Sequence, residues 1–151
     1  TSDDRIISKS LDSIDIWDSN TGEQTACWKP VGAWGFSFAF CLLPDGRLVA
    51  QMIDRSIRIW DSDTKKELVY RLDRDRDRDR DRIFNAFRPT PDGKIVASSI
   101  DGSICILDSH TGHILRFLEP SLGAIPFRLL IMPNAGIVSG WESSVEIRNV
   151  N

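Results

Sequence analysis

Two stretches of this chain, residues 13–23 (SIDIWDSNTGE) and 56–67 (SIRIWDSDTKKE), are copies of one unit, and residues 103–114 (SICILDSHTGHI) repeat it with Leu107 in place of the tryptophan. Trp17 and Trp60 lie 43 residues apart, Trp60 and Leu107 47, and Arg148 of a degenerate fourth copy follows 41 further on. A recurrence of about 40–45 residues closing on Trp-Asp is the period of propeller blades. Such a unit is a small sheet that buries its faces only by stacking on its neighbours.

A second shared element precedes the unit. Pro44-Asp45-Gly46 stands before Arg47-Leu48-Val49-Ala50, and Pro91-Asp92-Gly93 before Lys94-Ile95-Val96-Ala97. Proline fixes φ and glycine tolerates positive φ, so each triplet predicts a tight turn between two strands. Four strands are expected per unit: a over 36–40, b over 48–52, c over 57–60 and d over 67–72. Along strand c, Ile57 and Ile59 alternate with Arg58 and Trp60, so a pleated strand presents bulk on both faces. A sheet covered on both faces needs a neighbour on each side, as radially stacked blades provide.

On these motifs the chain resembles the WD40 repeat family, the best match being residues 93–108 (GKIVASSIDGSICILD). The resemblance implies a β-propeller whose blades are braced by a Ser or Thr on strand b, an Asp in the b–c turn, a His in the d–a loop and the Trp of strand c. Carried over by position, Ser8, Ser98 and Ser139 match the strand-b residue, Asp54 and Asp101 the turn residue, and Trp17 and Trp60 the tryptophan. Asp18, Asp61 and Asp108 follow as the Asp of Trp-Asp. Gln51 stands at the Ser position of the second copy, Leu11 falls at the Asp position of the first, and the two histidines, His110 and His113, lie around a c–d turn. The blades are therefore expected to rest more on apolar packing than on polar bracing.

The strand phase reads b-c-d, then a-b-c-d twice, then a-b-c. The expected fold is all-β, about 3.5 antiparallel four-stranded blades of one WD40-like propeller segment: a partial blade at 5–30, blades at 35–72 and 83–119, and a partial blade at 126–151. A closed ring of seven blades needs about twice the 151 residues present. Two chains would supply enough strands, but each junction would lack a d and an a, so a segment of a longer propeller is the simplest expectation. Its end faces and edges would need covering, by further blades of the same chain or by self-association.

Residues 73–82 are a perfect DRDRDRDRDR in the d–a connection. One reading is a solvated, variable insert, which surface connections accept at small entropic cost. The other is a partner-binding loop with Arg74, Arg76, Arg78, Arg80 and Arg82 as a row of forks for carboxylates or phosphates. Arg55, Trp28 and Trp34 complete the candidate partner-binding residues. Trp28 and Trp34 flank the first d–a connection, where aromatics serve equally as binding anchors or as packing against the next blade.

Catalytic and metal chemistry finds little footing. Cys105, His110 and His113 lack the second ligand pair of a zinc site. The Asp18 and Asp61 segments resemble the start of a calcium loop, but Lys65 stands at a ligand position and a repeated hairpin turn explains them. A net charge of −3 gathers no nucleic acid. Three dispersed cysteines imply no disulfide framework. Residues 33–43, the longest mostly apolar stretch, are too short to span a bilayer, and no signal peptide is read.

The expectation is an intracellular (cytoplasmic or nuclear), non-catalytic scaffold for protein partners, without cofactor, metal, nucleic acid or membrane. Its rim of d–a and b–c loops is expected to be the contact surface. The alternatives are the C-terminal sensor segment of a multidomain NACHT/NTPase-type signalling protein and, less favoured, a quinoprotein-like or other propeller enzyme.

Overall fold

The computed structural model describes residues 4–30, 35–71, 83–118, 128–132, 136–140 and 145–149; at 37, 38, 128, 129, 139, 140, 145, 146, 148 and 149 it describes the backbone. The described residues form fourteen strands and no helix, in four antiparallel sheets. Sheet I is β1 (Arg5–Lys9), β2 (Ile14–Asp18) and β3 (Gln24–Trp28). Sheet II is β4 (Phe36–Leu42), β5 (Leu48–Met52), β6 (Ile57–Trp60) and β7 (Glu67–Tyr70). Sheet III is β8 (Phe84–Pro89), β9 (Lys94–Ser99), β10 (Ile104–Asp108) and β11 (Ile114–Leu118). Sheet IV is β12 (Arg128–Ile131), β13 (Gly136–Gly140) and β14 (Val145–Asn149). Each sheet is a meander in chain order, three-, four-, four- and three-stranded, which is the strand phase read from the repeats.

The turn after each Trp-Asp position is built by its aspartate. Asp18 Oδ1 accepts the Asn20 and Thr21 amides at 2.8 and 3.0 Å. Asp61 Oδ1 accepts those of Asp63 and Thr64 at 2.9 and 3.1 Å, and Asp108 Oδ1 those of His110 and Thr111, both at 2.8 Å. A short side-chain acceptor satisfying amides two and three residues on is what makes Asp a turn former. The same amides hold the Asp18, Asp61 and Asp108 carboxyls below their usual 3.8. A depressed folded pKa stabilises above the unfolded value and is lost as pH falls through the folded one. The urea midpoint should therefore be flat above about pH 5 and fall below about pH 4. Asp108→Asn, which keeps an acceptor but not the charge, should flatten that acid slope.

Packing follows from the pleat. In sheet II, Ile57 and Ile59 face sheet III and Trp60 faces sheet I, so the middle sheet is covered on both sides as the c-strand pattern predicts. The I/II junction holds Ile14, Ile16, Trp28, Phe36, Leu48 and Trp60. The II/III junction holds Val49, Ile57, Ile59, Phe84, Phe87 and Leu107 among others, and III/IV holds Val96, Ile104, Ile106 and Ile137. Polar staples join neighbours. Trp28 Nε1 donates to Glu67 Oε2 at 3.2 Å, while Glu67 Oε1 pairs with the buried Arg58 at 2.5 Å. Arg47 reaches from sheet II to the Ser109 carbonyl of sheet III at 2.9 Å.

In strand a of sheet II the sequence places Phe36, Phe38 and Phe40 at alternate positions, and the strand departs from that period. Phe36 pairs with Met52 and Phe40 with Ala50, so the intervening residues bulge. Ala39, fully buried, enters the II/III junction, while Phe36 and Phe40 pack in I/II; Phe38 contributes only backbone to the description. Strand β4 runs on to Leu42, and β7 ends at Tyr70 rather than 72. Burial pushes the Cys41 thiol up to about 12, which leaves it inert at neutral pH.

Candidate interaction rim

The b–c turns are capped by the same device as the c–d turns, one register step shorter. Asp54 Oδ1 accepts the Ser56 amide at 2.9 Å and its hydroxyl at 2.5 Å. Asp101 Oδ1 receives Ser103 with the same two distances. Burial pushes the Asp54 carboxyl up, but Ser56 with the Arg58 and Arg71 charges outweighs it, and the net shift is down. In sheet I the turn has one residue fewer, and Ser10, not Leu11, stands at the capping position: its Oγ accepts the Ser13 amide at 3.0 Å. Ser10 lies seven residues before Trp17, whereas Asp54 and Asp101 lie six before Trp60 and Leu107, so the first turn is closed from one residue further back.

These turns share an edge with the entries to strand a. The Ile53 amide donates to the Gly35 carbonyl at 3.1 Å, and the Ile100 amide to the Ile83 carbonyl at 2.9 Å. The b–c turns and the ends of the d–a connections therefore form one rim. At its tips stand three aliphatics, Leu11, Ile53 and Ile100, exposed by 89%, 60% and 43%. Gly35, at φ +113°, seats the first two side by side: a Cβ there would lie 2.9 Å from the Leu11 carbonyl and 3.4 Å from Ile53 Cδ1. Exposed Asp12, Asp54, Arg55 and Asp101 flank the tips. Arg55 itself has φ +68°, a left-handed geometry that turns it out of the strand path. Sequence reading singled out Asp54, Arg55 and Asp101 on this rim and passed over the aliphatics. The signal was available, since Ile53 and Ile100 each directly precede a turn aspartate.

The other sequence-derived residues distribute as follows. Trp17 Nε1 donates to Ser8 Oγ at 2.8 Å on the outer face of sheet I. Pairing sets Ser8 opposite Asp15 but Ser98 opposite Ile104, one step out of phase, so Ala50 and Ala97 are the true counterparts of Ser8. Ser98 looks the other way and donates to Asn85 Oδ1 at 2.5 Å. Ser139 pairs with Glu146 at the register step of Ser8, and its side chain lies outside the described residues. Trp28 is 2% exposed, stacked on Trp60 at 5.8 Å and edge-on to Phe36 at 5.3 Å. It is therefore a packing residue of the I/II junction and not a rim anchor, because β3 turns it toward sheet II. Trp34 and Arg74, Arg76, Arg78, Arg80 and Arg82 lie outside the described residues.

Cys105 is buried between sheets II and III, His110 is on an exposed turn, and the His113 ring sits 4.4 Å from that of Tyr70. Among the described residues no three His, Cys, Asp or Glu side chains are grouped closely enough to hold a metal. A cleft of about 530 Å³ runs beside β4 and β8, lined by Phe40, Leu42, Asn85, Phe87 and Arg88 among others.

No family model and no curated protein matches the chain. Solved structures do. The chain superposes over 99% of its length on 44% of the computationally designed Ika8 protein, with a TM-score of 0.69 at 20% identity. It superposes over its whole length on 88% of the computationally designed Ika4 protein, with a TM-score of 0.71 at 20% identity. At this identity the likeness concerns the fold, and the chain spans less than half of the Ika8 protein.

Proposed function

We propose that this chain supplies blades of a WD40-like β-propeller and serves as a non-catalytic platform for protein partners, bound through the b–c rim. The observation that carries this reading is the row Leu11, Ile53 and Ile100, solvent-facing at the tips of turns held rigid by Ser10, Asp54 and Asp101. Exposed aliphatics on capped turns lose little conformational entropy when covered. A partner that buries them gains about 1.5–3 kcal/mol for each, and the flanking charges supply register. The repeated unit and the four meanders in chain order support the propeller part of the reading.

The test is quantitative recovery of binding proteins from cells that make this chain. The bait is compared with a Leu11→Ser/Ile53→Ser/Ile100→Ser variant and with a His110→Ala control on the opposite rim. A defined set of proteins should drop out with the triple variant alone, and their affinity should fall on the order of 100-fold or more. Equal recovery by all three baits rejects the rim. Replacing 73–82 by a Gly/Ser linker of equal length measures the share of the Asp-Arg run separately.

A further inference from the structure

The three junctions between sheets share one two-sided construction, and the two end faces of the chain are its unmatched halves. Register makes the comparison residue by residue. Ile16, Ile59 and Ile106 pair with Ile7, Val49 and Val96, and each points into the sheet that follows; they are 1%, 3% and 3% exposed. Ile147 pairs with Val138 at the same step of sheet IV and is 65% exposed. Leu130, also opposite Val138, is 58% exposed on that face.

The receiving face shows the converse. Leu48 and Ile95, opposite Trp60 and Leu107, are fully buried against the sheet that precedes them. Ile6, opposite Trp17 at the same step of sheet I, is 55% exposed, and Trp17 is only partly covered.

We propose that a second copy of this chain docks here head to tail, sheet IV of one copy setting Ile147 and Leu130 onto Ile6 and Trp17 in sheet I of the other. The argument is continuity: the contact repeats a junction the chain already makes three times. A symmetric contact of sheet I with sheet I would instead oppose two receiving faces, Trp17 against Trp17, a pairing found at none of the three junctions. Docking matches faces and not strands, so the missing a strand of sheet I and d strand of sheet IV do not obstruct it. Because the two patches differ, the contact is heterologous and either closes into a ring or continues as a chain of copies. These faces are separate from the b–c rim, so the proposal stands or falls independently of the rim reading.

The experiment is sedimentation velocity on the 151-residue chain from about 1 to about 100 µM, a span that covers weak and moderate association. Ile147→Lys and Ile6→Lys are run alone and mixed. The unsubstituted chain should associate with concentration, and each variant alone should sediment as a monomer, its association weakened at least about 100-fold. The equimolar mixture should form a 1:1 dimer and nothing larger, since each variant retains the half the other lacks. A monomer throughout for the unsubstituted chain overturns the proposal, as does association of either variant by itself or a mixture that stays monomeric. Circular dichroism verifies the folds; should either lysine variant lose the β spectrum, Leu130→Ser or Trp17→Ser replaces it on the same face.

Discussion

Trp60→Ala is expected to cost about 3–5 kcal/mol, the range for emptying a large aromatic site in a packed core. Trp60 is 5% exposed and stacks on Trp28 with ring planes 3° apart, so its loss removes buried area and an aromatic pair together. Neighbours cannot easily fill the space, because Leu48 and Ala50 are pinned in the β5–β6 ladder. Total stability of a domain is only about 5–15 kcal/mol, so this single change should leave sheet I barely docked on sheet II. Trp17→Ala is the comparison. It removes the same residue type from the same register step, but on the partly open outer face, where the Ser8 hydrogen bond and modest contact should be worth about 1 kcal/mol. Urea unfolding followed by far-ultraviolet circular dichroism measures both, and equal losses would mean that the I/II junction does not carry the burial assigned to it.

The second large effect is steric. Gly22, Lys65 and Gly112 occupy one position of the c–d turn, with φ of +71°, +59° and +77°. Alanine at Gly22 meets nothing within 4 Å, so it should lose only the left-handed backbone penalty, about 1 kcal/mol. At Gly112 the new Cβ would stand 2.9 Å from Tyr70 Cβ, on the β7 side of the II/III junction. Tyr70 cannot yield without disturbing its ring contact with His113, so Gly112→Ala should lose about 3 kcal/mol by backbone and overpacking together. Lys65→Gly should run the other way. Relief of the left-handed lysine is partly offset by losing its ammonium 5.5 Å over the Trp60 ring, leaving a gain of about 0.5 kcal/mol. Matched urea midpoints for the three variants separate backbone cost from crowding, and similar losses at Gly22 and Gly112 would discount the Tyr70 contact.

What could be read in advance depended on how local its cause was. Asp18, Asp61 and Asp108 build their turns from amides two and three residues away, so the repeated motif was enough to place them. The opposed faces of Ile59 and Trp60 follow from the pleat alone. By contrast, the Ser13 amide of the first b–c turn is held by Ser10, three residues back rather than two and seven before Trp17 rather than six, and spacing measured from the tryptophan missed it. Trp28 sits beside a loop in sequence but against Trp60 in space, and its burial depends on where the next sheet lands. The bulge between Phe36 and Phe40 breaks an alternation that looked regular in letters. Ile53 and Ile100 directly precede their turn aspartates in the sequence, and the bonds to Gly35 and Ile83 show in addition that those turns join the rim, with both side chains exposed at its tips.

The buried described residues fall into three clusters in series rather than one core, one at each junction between neighbouring sheets. A chain held together this way melts like a row of couplings, not like a single droplet. Its outer sheets can detach and return while the central pair stays intact, so its native population is graded from the middle outward. One melting temperature would average over couplings of different strength, and a lesion at an end would shorten the ordered stretch before it abolished it.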